Sequence, residues 1–194
     1  MMYEFVLYSR KGQTDGRFKS LVDAGRLDIV YQCILTSVFK SHGHRHDVNF
    51  HAILNGPPNP PLHLEISGDR LRDARLDERT WEGILKKVLS GGAHPGISIE
   101  KASLQSLIKS KHDSKANIFV LEERGEDISE IDFGDSAVFV LGDHIGIPKI
   151  EEKFILRYGR KVSLGKQRYL AASCIDIINF ILDNYVMSKF NVKR

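Results

Sequence analysis

Three short apolar runs in the last third of the chain, residues 118–121, 137–141 and 162–164, constrain its fold more than any other feature. The first two are apolar at every position instead of at alternate ones, so both sides of each must be covered. Strands buried on both faces belong to parallel sheets, and parallel neighbours need crossover connections that lay helices on those faces. The pattern therefore predicts an α/β protein with a parallel-rich sheet.

The rest of the chain fits that class. Residues 3–8 read as a strand, and Leu27, Val30, Tyr31, Ile34, Leu35 and Val38 recur at helical spacing after Gly25. Residues 48–54 and 62–66 read as neighbouring strands joined by Gly56-Pro57-Pro58-Asn59-Pro60-Pro61, a stiff turn in which proline withholds backbone donors. Asp77 to Thr80 opens a helix carrying Trp81, Ile84, Leu85 and Val88, which Gly91-Gly92 ends. Residues 97–99 suggest a short strand and 103–110 a helix. Ala171, Cys174, Ile175, Ile178, Ile181, Leu182 and Tyr185 mark a closing amphipathic helix, and 189–194 reads as a loose tail.

Length and composition narrow the class further. With 194 residues and 42% hydrophobic content, one core in one domain spanning 1–194 is expected. No apolar run reaches membrane-spanning length, and Met1 to Phe5 lacks a secretory pattern, so no membrane and a cytoplasmic location are expected. Cys33 and Cys174, far apart and each among apolar residues, read as buried thiols, not a disulfide. Arg70, Arg72, Arg75 and Arg79 cluster, as do Arg10, Lys11, Arg17 and Lys19. Such clusters suit phosphate. Asp69, Asp73, Asp77 and Glu78 leave open the alternative of a solvated, charge-balanced face.

The familiar nucleotide signatures fail: no G-x-G-x-x-G follows the first strand, and Gly165-Lys166 precedes Gln167 where a P-loop needs Ser or Thr. What remains is a glycine directly after each of two strands, Gly142 and Gly165. Ligands of open α/β sheets bind at the carboxyl ends of strands, where glycine permits close backbone approach and Leu141, Ile147 and Leu164 can sandwich an adenine. A simple turn is the alternative reading of each. His42, His44 and His46 could share one side of a strand and invite zinc, but the order His46-Asp47 reverses that of the H-x-H-x-D-H hydrolases. No metal is expected, and a basic loop facing RNA is the better reading.

Taken together, Leu141-Gly142-Asp143-His144-Ile145-Gly146-Ile147-Pro148, Val162-Ser163-Leu164-Gly165 and Tyr169 to Ile175 resemble the knot region of SPOUT-class RNA methyltransferases. The likeness is greatest to the archaeal TrmY family of tRNA pseudouridine(54) N1-methyltransferases. It extends upstream through Gly25-Arg26-Leu27-Asp28, His46-Asp47-Val48, residues 56–61 and Asp77-Glu78-Arg79, and so covers nearly the whole chain. The resemblance implies a SPOUT fold with a trefoil knot in the region of about 117–185, a homodimer, and S-adenosylmethionine held by Leu121, Leu141, Gly142, Leu164, Gly165 and Cys174. It implies tRNA as partner. Asp28 and Asp47 are the candidates for accepting the N1 proton, and Arg26, Arg45, Arg70, Arg72, Arg75 and Arg79 for contacting RNA. Asp28 as a helix cap, Cys174 as a core residue and Arg79 paired with Glu82 are the structural alternatives. The related ribosomal-RNA pseudouridine N1-methyltransferases and a non-catalytic RNA-binding protein are the rival functions.

Overall fold

The computed structural model describes residues 1–191. Strand β1 (Met2–Ser9) is buried at every residue but its first, because it lies inside a seven-stranded sheet. It pairs in parallel with β4 (Val48–Leu54) on one side and β8 (Ser136–Gly142) on the other. Beyond β8 come β7 (Asn117–Asp127) and then β9 (Arg160–Ser163), both parallel. Beyond β4 the sheet turns antiparallel through β5 (Leu62–Ser67) and β6 (Ile97–Glu100). The full order is β6-β5-β4-β1-β8-β7-β9, and the expected α/β class with a mostly parallel sheet is what the chain adopts.

Alternation within the strands divides the core in two. Phe5 and Leu7 face α1 (Leu27–Val38), α2 (Glu78–Leu89) and α5 (Ala171–Asn191), whereas Val6 and Tyr8 face α3 (Leu104–Asp113) and α4 (Lys149–Ile155). On the first face Phe5, Phe139 and Phe119 occupy matching register positions on three adjacent strands, with ring centroids 5.6 and 5.4 Å apart. The second face carries a polar chain under α3. His51 lies 2.6 Å from the Glu4 carboxylate and 2.9 Å from His63, His63 lies 2.9 Å from Glu100, and Lys111 also pairs with Glu4. Glu4, His51 and His63 are all buried, so each needs the others.

Several boundaries differ from expectation. β7 continues past residue 121 to Asp127, bulging so that both Leu121 and Glu126 stand opposite Val162; its polar continuation is exposed, pairs Glu126 with Arg160 at 2.9 Å, and leaves no apolar signature. β9 begins at Arg160 and stops at Ser163. Residues 39–44 form a two-residue hairpin, β2 (Phe39–Lys40) with β3 (Gly43–His44). The closing helix runs through Asn191, so residues 189–191 are not a loose tail, and 192–194 lie outside the described residues.

Candidate active site

Because β4, β1, β8, β7 and β9 run parallel, their carboxyl ends share one edge of the sheet. Gly142 and Gly165 stand on that edge for different reasons. The loop after β8 curls back so tightly that a Cβ on Gly142 would lie 2.6 Å from backbone atoms of Gly146. Gly165 has φ +102° and open space where a Cβ would go, so the conformation alone demands glycine there. Leu141 is buried, and Leu121, Leu164 and Cys174 are half-buried against the same core. The bulged part of β7 and the turn after β9 are tied together, since the Ser163 hydroxyl lies 3.2 Å from the Glu123 carbonyl and accepts from the Gly165 N–H at 3.1 Å. Burial raises the Cys174 thiol above its ordinary range, and Cys33 still further, so neither is a thiolate nucleophile at neutral pH.

Asp143, which residue type alone did not single out, is the anchor of this edge. It is buried; its carboxylate accepts the backbone N–H of Arg10 at 2.8 Å and that of Ile145 at 2.9 Å, while its own N–H donates to the Tyr8 carbonyl. The loop bearing Gly142 is thereby fastened to the end of β1. An aspartate bonding its own turn two residues on, after a strand-ending glycine, is the local signal that could have found it.

Arg26 and Asp28 also lie at the carboxyl edge. Gly25 and Arg26 are both left-handed, at φ 68° and 70°, and this turns the chain into α1. The Arg26 guanidinium grips Asp28 with two hydrogen bonds of 2.9 Å, and it feels the charge of Asp143. Asp28 is therefore not the cap of α1: Arg26 holds that position without a side-chain bond.

The structure does not bring Asp47 to the same place. Its carbonyl accepts the Tyr3 N–H at the start of β1, on the opposite, amino edge, and the length of β1 puts about 20 Å between the two edges. The arginines divide likewise. Arg45 sits at the amino edge in a bidentate pair with Asp183 of α5, at 2.7 and 2.8 Å. Arg70, Arg72, Arg75 and Arg79 are exposed between β5 and the first turn of α2; Arg72 donates to the Asp69 and Leu71 carbonyls, and Arg70 lies 3.9 Å from Glu65. Glu82 pairs with Lys86, not Arg79. In the histidine stretch, His44 packs edge-on against Phe39 and His46 lies 3.1 Å from Asp69; among the described residues no group of three His, Cys, Asp or Glu could hold a metal. Nor, among them, is any helix long and apolar enough to cross a membrane.

A three-layer α/β molecule with glycine-built turns at the carboxyl edge of its parallel strands, and a fixed Arg–Asp pair beside them, belongs with the open α/β folds, whose ligands bind at the carboxyl ends of their strands. Comparison with known proteins narrows this class. Residues 2–187 match the family model described as "Putative SAM-dependent RNA methyltransferase". The chain is 38% identical to a tRNA (pseudouridine(54)-N(1))-methyltransferase of Methanocella arvoryzae, covering 94% of this chain and 99% of the relative, and 36% identical to one of Methanococcoides burtonii, covering 97% and 99%. Its fold matches the crystal structure of Archaeoglobus fulgidus Nep1 bound to S-adenosylhomocysteine with a TM-score of 0.67, at 14% identity, over 94% of this chain and 97% of that one. The chain belongs to the family of SAM-dependent RNA methyltransferases.

Proposed function

We propose that this chain transfers the methyl group of S-adenosylmethionine to N1 of pseudouridine at position 54 in the T-loop of tRNA. The observation that carries the chemistry is the Arg26–Asp28 pair standing beside the Gly142–Asp143 loop on one edge of the sheet. Full-length likeness to enzymes named for this reaction supports the substrate.

The carboxyl edge fits the methyl donor. Leu121, Leu141 and Leu164 offer apolar walls, Gly165 leaves backbone uncovered, Gly142 lets the loop after β8 fold back on itself, and Cys174 is half-buried against the same core. The donor supplies an electrophilic methyl on a sulfonium, so little further activation is needed. The acceptor nitrogen must lose its proton for its lone pair to attack. Asp28, its two oxygens oriented by Arg26, would accept that proton, and orientation of the nucleoside would supply the remainder.

The same reading extends to the whole molecule: one domain over 1–194, a trefoil knot within about 117–185, a homodimer and a cytoplasmic location. The placement of β8 between β1 and β7, with α5 returning against α1, supports the knot. Leu170 and Phe180, 74% and 70% exposed at the start and on the outer side of α5, support a self-interface. Asp47 and the amino-edge arginines would then serve RNA bound across two copies. The test is methylation of tRNA and rRNA transcripts carrying uridine or pseudouridine, with the product mapped by mass spectrometry. Methyl on N1 of pseudouridine 54 is expected; methyl transfer to rRNA alone would overturn the substrate.

A further inference from the structure

Beside the Arg26–Asp28 pair, the loops after β1 and β4 border an open, shallow cleft of about 450 Å³ whose walls include Arg10, Lys11, Gln13, Gly25, Asn55 and Gly56. Its backbone is over-determined. Asn55 N–H donates to the Ser9 carbonyl, Gln13 N–H to Ala24 and Gly56 N–H to Gly12, at 3.0, 3.0 and 2.8 Å. Gly25 and Gly56 pass so close to the Lys11 carbonyl that a Cβ on either would fall 1.7 or 2.2 Å from its oxygen. Arg10 is pinned from the other side, its N–H donated to Asp143 of the loop that follows Gly142. Two cationic residues thus start from rigid backbone one strand away from the donor edge.

Their charges are also uncommitted. Arg26 is engaged with Asp28, Arg45 with Asp183 and Arg72 with neighbouring carbonyls. Among the described residues, Arg10 and Lys11 have no ion pair and no side-chain hydrogen bond, and both are exposed. The acid on the cleft wall, Asp23, accepts from the Ser20 hydroxyl. Solvated surface cations are common, but here a free guanidinium and a free ammonium share a preformed concave wall next to the residues that would hold the target base.

We propose that Arg10 and Lys11 bind backbone phosphates of the RNA strand adjoining the target nucleoside, and so set its register over the donor. The inference rests on the proposed function and adds to it a pair of phosphate contacts at the carboxyl edge. A guanidinium takes phosphate oxygens two at a time and an ammonium acts as a point charge, a pairing that positions a strand without reading its sequence.

The test measures binding of a T-arm RNA across a series of salt concentrations. Each phosphate contact contributes roughly 0.7 to 0.9 to the slope of log affinity against log salt. The double variant R10A/K11A should lower that slope by about 1.4 to 1.8 and weaken binding about tenfold or more, with donor affinity by calorimetry unchanged. The control K115A/R157A, two exposed cations away from this cleft, should keep the full slope. An unchanged slope in R10A/K11A, or an equal loss in the control, would overturn the proposal. Methyl transfer by the unaltered protein is measured in parallel: its absence would count against the proposed function, whereas its presence with an unchanged slope counts against these contacts alone.

Discussion

Asp28 is held by two parallel hydrogen bonds from Arg26, so an amide in its place keeps the shape and loses the charge. D28N should lower kcat by about 10²-fold or more while leaving donor affinity unchanged, checked by single-turnover methylation and calorimetry. Equal losses in kcat and donor affinity would mean that the residue shapes the fold instead. Asp143 makes a different demand. Replacing it by alanine orphans the N–H groups of Arg10 and Ile145, each worth about 1–3 kcal/mol, and frees the Gly142 loop from β1. D143A should therefore melt several degrees lower and bind donor less tightly, a joint change that differential scanning calorimetry and titration can read. The glycines were legible as strand-end residues because a glycine after an apolar run is a local pattern. The separation of Asp28 from Asp47 was not legible, because it depends on which edge each strand presents.

At the scale of elements, burial pattern carried most of the outcome. The strands at 118–121 and 137–141 announced themselves because both faces are covered, and α2 because a capping Asp77 precedes an apolar stripe ended by glycines. The chain Glu4, His51, His63, Glu100 and Lys111 was invisible, since five residues from five elements meet only once β1, β4, β5, β6 and α3 are in register. That chain has a pH consequence. Burial holds the folded His63 imidazole below its ordinary value of 6.5, against the opposing hydrogen bond from Glu100. Burial pulls Glu4 upward, but His51 and Lys111 outweigh it and keep the carboxyl below its ordinary range. Both groups bind protons more readily unfolded than folded, so stability should decline as pH falls below about 6.5 and continue to decline through the carboxylate range. Thermal melts from pH 8 to 4 should show this, and H63Q should flatten the upper part of the decline. A melting temperature that rises on acidification to pH 5.5 would contradict the assignment.

For the whole molecule the decisive number is the length of β1, which sets about 20 Å between the edge bearing Asp28 and the edge bearing Asp47. Two carboxylates so far apart cannot attend one nucleoside within a single chain, so a shared role requires a second copy whose amino edge meets the first copy's carboxyl edge. A two-fold dimer would then contain two identical sites, each built from Asp28 of one protomer and Asp47 of the other. The consequence is complementation. D28N and D47N homodimers should each be impaired, but a co-expressed mixture should regain about a quarter of full activity, because half of random dimers are mixed and each has one intact site. Activity in the mixture equal to the mean of the two parents would assign Asp47 to a role within its own chain. Recovery without dimers in light scattering would rule out the shared site altogether.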